Sequence, residues 1–100
     1  MSADPSLVGC DLLETVRNIV AHVLMVSPSD VQPETALYDL GAESIDYLDL
    51  IFRIEEAVGK KIPVSRWEAF IRERLPEADL RMAITVAIVA EFAERERARA

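Results

Sequence analysis

The chain has 100 residues, 51% of them apolar, which suits one domain over residues 1–100 and excludes a largely disordered chain. A single cysteine (Cys10) and a single histidine (His22) exclude an internal disulfide framework and the usual zinc ligand sets, and fit a reducing compartment. The net charge of −7 is concentrated in residues 1–59, where eleven acids face only Arg17 and Arg53; such a surface repels phosphate backbones, speaks against nucleic acid as a partner and suits basic patches on other proteins.

The opening stretch "MSADPSLVGCD" lacks the basic region of a secretory leader, and "AITVAIVA" (83–90) is far too short to span a bilayer. A soluble, cytoplasmic monomer without stable membrane insertion is expected. From Cys10 to Val26, Leu12, Val16, Ile19, Val20 and Val23 recur at helical spacing and predict a first helix, ended by Ser27, Pro28, Ser29 and Asp30. His22 falls within it, with a partly exposed ring. Residues 27–43 then form a long connection, pinned to the core by Leu37, Tyr38 and Leu40. Helix two starts at or near Ser44. Tyr47, Ile51, Ile54 and Val58 mark its apolar stripe, widened by Leu48, Leu50 and Phe52, and Gly59 stands just past its end with Lys60 and Lys61 beside it. "SRWE" reads as a capping box, Ser65 with Glu68, opening a short third helix from Arg66 to Arg74 with Trp67, Phe70 and Ile71 inward and Pro76 closing it. The last helix is expected from an N-cap at Asp79, with Leu80, Met82, Ile84, Val86, Ile88, Val89, Phe92 and Ala93 on its apolar side. The fold class is therefore all-α, a four-helix bundle with a short third helix, a long loop between helices one and two and an extended C-terminal helix.

Ser44, in "LGAESIDYLDL", admits three readings. A serine before a helix is commonly an N-cap, worth about 1 kcal/mol over alanine. A hydrolytic nucleophile would need Gly-x-Ser-x-Gly between a strand and a helix and a nearby base. Gly41 is one residue too early for that pattern, Asp46 occupies the second glycine position, and only His22 could serve as base. The third reading is a serine that receives a group from another enzyme; esterified to phosphate, it would hold the anion at a helix N-terminus, where backbone N–H groups and the helix dipole favour it.

"LGAESIDYLDLIFRIEEAVGKKIP" (40–63) resembles the attachment region of the acyl carrier protein family. Leu40, Gly41, Ser44, Ile62 and Pro63 match at the family spacing, and the order of helices agrees over most of the chain. Glu43 stands where the family usually has aspartate, and Ile45 where leucine is commoner. The resemblance implies that Ser44 carries a covalent 4′-phosphopantetheine arm, that acyl groups ride on it as thioesters, and that the protein is not an enzyme and has no catalytic residues. It also implies partners: a phosphopantetheinyl transferase, fatty-acid synthesis and elongation enzymes, and an acyltransferase. Helix two would be the recognition element, through Glu43, Asp46, Asp49 and Glu56, with Arg53 interrupting the acidic stripe. A narrower stretch, residues 44–67, is similar to specialised carriers that deliver very long acyl chains to lipid A. It suggests Tyr47, Leu48, Phe52, Ile62, Trp67 and Phe70 as an acyl pocket; taken singly, Phe52, Trp67, Phe70 and Phe92 read as core, and an acyl pocket in a helical bundle is a loosened core. The arginines Arg66, Arg72, Arg74 and Arg81 form a solvated basic face or meet an anionic lipid acceptor. The alternatives are a non-carrier acidic helical adaptor, or a carrier of aminoacyl, peptidyl or polyketide groups.

Overall fold

The computed structural model describes residues 5–75 and 83–99, with side chains from Leu12 onward. Its helices are α1 (Pro5–Leu24), α2 (Ser44–Val58), α3 (Val64–Arg74) and α4 (Val86–Ala98). Among the described residues there is no strand, only an isolated antiparallel bridge between Ala36 and Thr85. The all-α bundle expected from the sequence is what forms. Pro76, Asp79, Leu80, Arg81 and Met82, where the end of the third helix and the start of the fourth were expected, lie outside the described residues, as does the side chain of Cys10.

In α1, Leu12, Val16 and Val20 are buried at a spacing of four and Ala21 beside them, so one stripe faces the core and packs on α4 and α2. The helix stops when Met25 turns left-handed at φ 58°, and the Val26 N–H reaches back to the Ala21 carbonyl at 3.0 Å.

The long connection is ordered by side-chain and backbone ties. Arg17 on α1 donates from Nε to the Val31 carbonyl at 2.7 Å and from Nη2 to the Pro28 carbonyl at 2.8 Å. Val31 and Leu37 are fully buried. Of the three residues expected to pin the loop, Leu37 does so and Leu40 is half-buried. Tyr38 is 48% exposed, because it lies on the outward side of the 3₁₀ turn Leu37–Leu40.

The same loop builds the start of α4. Val86 N–H donates to the Thr35 carbonyl at 3.0 Å and Ala87 N–H to the Pro33 carbonyl at 2.8 Å, while Leu37 N–H donates to the Ile84 carbonyl at 2.9 Å. Thr85, in extended backbone, caps α4 by accepting from Ile88 N–H at 3.3 Å. The expected unbroken helix from Asp79 is thus wrong at Ile84 and Thr85. Pairing with the loop satisfies their backbone groups, and two adjacent β-branched residues accept that extended geometry readily.

Gly59 takes φ 75° and ends α2, its N–H on the Glu55 carbonyl at 2.9 Å; only glycine does this without strain. Glu55 also accepts from Ile62 N–H at 2.6 Å, which folds the linker back onto α2. The Lys60 ammonium does not complete α2. It donates to the Arg97 carbonyl at 2.7 Å and to the Arg99 carbonyl, closing the end of α4 instead. The Ser65–Glu68 capping box is also absent. Pro63 is the cap residue and Arg66 N–H bonds its carbonyl at 2.9 Å, so the helix begins at Val64 and Ser65 is already inside it. Pro63, with extended ψ, supplies the cap position, so the helix starts two residues before the expected Arg66.

Candidate functional site

α2 starts from a turn that the sequence dictates. Gly41 takes φ 89°, ending the 3₁₀ turn and redirecting the chain toward Ser44. Glu43 is extended and occupies the N-cap position; its N–H donates to Asp46 Oδ2 at 2.8 Å. Ser44 is therefore the first helical residue and not the cap. It is exposed. Asp46, expected on the recognition face, is half-buried and engaged in closing this turn.

The N-termini of α2 and α4 differ in one respect. The first N–H groups of α4 are taken by loop carbonyls. Those of Ser44 and Ile45 have no acceptor among the described residues. With the helix dipole behind them, they suit an anion held on the Ser44 hydroxyl.

Ser44 lines a groove of about 700 Å³ between α2 and α3. Such a volume falls in the range of small-molecule sites. Tyr47 and Leu48 contribute from α2, and Val64, Trp67, Glu68, Ile71 and Arg72 from α3; Tyr38, Ala42, Glu43 and Ile84 complete it. Of the expected acyl-pocket residues, Tyr47, Leu48 and Trp67 belong to this groove. Phe52 does not: it is 57% exposed on the outer side of α2. Ile62 is buried under the α2–α3 linker, away from the groove. Phe70 lines a second cavity of about 350 Å³ on the opposite face of α3, with Arg66, Glu73, Phe92, Arg95 and Glu96.

Val64, Glu68, Ile71 and Arg72, missed as groove residues by sequence reasoning, share a face with the expected Trp67, a signal that was available. Val64, Trp67, Glu68, Ile71 and Arg72 follow the i, i+3, i+4, i+7, i+8 pattern of one helical face. Arg66, Ala69, Phe70 and Glu73 form the other.

An aromatic cluster separates the two cavities. Trp67 stacks with Tyr47 at 6.3 Å between ring centroids and meets Phe92 edge-on at 5.1 Å, and Phe70 lies 5.2 Å from Phe92.

Charges are distributed unequally around α3. Glu96 is buried, and both its oxygens accept from Arg66 Nε, at 2.9 and 3.0 Å, with Arg99 Nε at 3.0 Å. Burial pushes the Glu96 carboxyl up, but the hydrogen bonds and charges of Arg66 and Arg99 outweigh it and hold the group below its ordinary value. The bond to Glu96 raises the Arg66 guanidinium in turn. Arg74 pairs with Glu91 at 3.1 Å, and Arg95 pairs with Glu73 at 3.3 Å while lying 5.2 Å over the Phe70 ring. Arg72 alone of the described arginines has no ion pair among the described residues, and it faces the groove of Ser44. The basic face expected from Arg66, Arg72, Arg74 and Arg81 is thus divided: Arg66 and Arg74 are tied to α4, and Arg81 lies outside the described residues.

On the exposed side of α2, Asp49 pairs with Arg53 at 3.2 Å, while Glu43 and Glu56 are exposed. Ile45, Leu48 and Phe52 stand 69%, 50% and 57% exposed beside them, at a spacing of three and four. Leu48 and Phe52 therefore do not widen the buried stripe, which consists of Leu50, Ile51 and Ile54. His22 is exposed on α1 and lines neither cavity, so it is no base for Ser44. No described helix is long and apolar enough to cross a membrane.

Residues 14–68, more than half of the chain, match the family model described as a phosphopantetheine attachment site. Among curated proteins the chain is similar to "Acyl carrier protein AcpXL" of Brucella melitensis and of Brucella suis, 34% identical over 61 residues in each case. It is also similar to the protein of the same name from Rhizobium etli, 33% identical over 61 residues. These alignments cover 60% of this chain and 66% of each relative, so the chain spans just under two thirds of their length. No solved structure matches the chain.

Proposed function

We propose, on the premise that the chain belongs to the phosphopantetheine-attachment-site family, that Ser44 Oγ is the attachment point of a 4′-phosphopantetheine arm and that the protein is an acyl carrier. The observation that carries this reading is the position of Ser44. It is exposed, it is the first residue of α2, its N–H and that of Ile45 have no acceptor among the described residues, and it lies on a groove of about 700 Å³. When bound, the arm supplies a terminal thiol that holds acyl groups as thioesters.

The chain's own residues then do three things. The start of α2 offers the phosphate its N–H groups and dipole. Tyr47, Leu48, Val64, Trp67 and Ile71 shelter apolar cargo, each sheltered CH₂ gaining about 0.8 kcal/mol. Glu43, Asp49 and Glu56, with the exposed Ile45 and Phe52 among them, meet basic partner enzymes that share an apolar contact: a phosphopantetheinyl transferase, chain-elongating enzymes and an acyltransferase. Asp46 and Arg53 act on this surface only indirectly, one closing the turn and the other neutralising Asp49. Similarity to the carriers named AcpXL supports very long acyl chains destined for lipid A as the cargo. The work is carriage in the cytoplasm and not catalysis.

Incubation with coenzyme A and a phosphopantetheinyl transferase is expected to raise the intact mass by one arm, and Ser44→Ala to abolish the increase. If no competent transferase adds the arm, or if Ser44→Ala still gains it, the reading is wrong.

A further inference from the structure

We infer that Arg72 is the positioning residue for the arm: its guanidinium closes over the groove and pairs with the phosphodiester on Ser44, holding the arm against α3. This rests on the attachment of the arm to Ser44 proposed above. Three observations carry it. First, Arg72 and Ser44 line the same groove, from α3 and α2 respectively. Second, each of the other described arginines is ion-paired, namely Arg17, Arg53, Arg66, Arg74, Arg95, Arg97 and Arg99, whereas Arg72 has no ion pair among the described residues. It is not even paired with Glu68, one turn earlier on the same face of α3, where an i, i+4 pair would be easy. Third, among the described residues the groove holds no other cation. Its charged residues are Glu43, Glu68 and Arg72.

The electrostatics then favour one arrangement. A phosphodiester on Ser44 adds an anion next to Glu43 and two residues before Asp46, and both carboxylates oppose it. The N–H groups of the first turn offset part of that repulsion. A guanidinium with five donors and no ion pair among the described residues supplies the rest, and its planar fork suits two phosphate oxygens at once. The remaining acid of the groove, Glu68, disfavours a second anion there and leaves room for one phosphate only.

The test uses the holo-protein. Wild type, Arg72→Ala and Arg72→Lys are loaded from coenzyme A, with Lys61→Ala as a control that also removes one exposed positive charge. Intact mass establishes loading. The ³¹P resonance of the phosphodiester and the rate of alkylation of the terminal thiol are then measured. In wild type the ³¹P shift is expected to differ from that of free phosphopantetheine and to return toward it in high salt. Arg72→Ala is expected to remove the difference and to speed thiol alkylation roughly two- to fivefold, the size appropriate to one exposed ion pair. Arg72→Lys is expected to restore part of both effects, and Lys61→Ala to match wild type. If every variant loads fully and Arg72→Ala gives the wild-type ³¹P shift and alkylation rate, the role of Arg72 is refuted while the attachment at Ser44 stands. If none of them loads, wild type included, both fall together.

Discussion

On its α4 side, α3 is fastened by charge: Arg66 to the buried Glu96, Arg74 to Glu91, and Glu73 to Arg95, which also covers the Phe70 ring. On its α2 side the same helix presents Val64, Trp67 and Ile71 to a groove twice the volume of the cavity behind it, and no ion pair crosses that groove among the described residues. Directional ties on one side and a loosely filled apolar space on the other make a wall that is fixed along one edge. The cargo role proposed for the groove would use this asymmetry, since apolar contact tolerates changes of shape that a bidentate ion pair does not.

The comparison can be broken most forcefully at the cluster both sides share. Phe92 is buried against Trp67 and Phe70, and Phe92→Ala is expected to cost about 4 kcal/mol in urea unfolding. A loss below about 1 kcal/mol would mean that the charged side alone holds α3.

Next comes Glu96→Gln, expected to cost about 2 kcal/mol, less than for a pair buried on both partners because Arg66 and Arg99 reach water. The pH dependence sharpens this. Since the folded-state pKa of Glu96 lies below its unfolded value, near 4.5, its contribution is complete above that pH and disappears as pH falls through the depressed value. Wild type is therefore expected to lose stability on acidification more steeply than Glu96→Gln, and parallel pH curves from urea melts would contradict the assignment.

Arg74→Ala breaks an exposed pair and is expected to lower stability by no more than about 1 kcal/mol. Smallest of all is Arg72→Ala, on the groove side, expected to stay within about 0.5 kcal/mol of wild type in apo-protein melts. If Arg72→Ala destabilised the apo-protein as much as Arg74→Ala, the contrast between the two faces would vanish.

Much of this arrangement is legible in the sequence. The stripe of α1, the termination of α2 at Gly59 and the exposed serine after Gly41 all follow from local spacing and glycine chemistry. What is not legible depends on distant partners. The apolar run from Ala83 to Ala90 has helical periodicity throughout, and nothing local marks Ile84 and Thr85 as extended; the loop at Thr35–Leu37 imposes that. The same holds for Lys60, which by sequence belongs to the end of α2 and in space belongs to the end of α4. Leu48 and Phe52 read as core by hydrophobicity, yet Phe52 stands 57% exposed and Leu48, 50% exposed, borders the open groove toward α3. The groove itself needs the angle between α2 and α3, which no single helix encodes, although the face of α3 that lines it is visible as a period.

The short pairing of Leu37 with Ile84 has a practical consequence. Leu37 sits in the turn that leads to Ser44, and Ile84 lines the groove and precedes α4. One buried amide thus joins the approach to the serine with the floor of the groove. Its hydrogen-exchange rate is a built-in gauge: slow while floor and approach stay joined, faster when loading parts them. A single resonance in an exchange experiment would follow, from apo-protein to fully charged carrier, whether the molecule takes up its load by yielding at α3 alone or by loosening the opposite side as well.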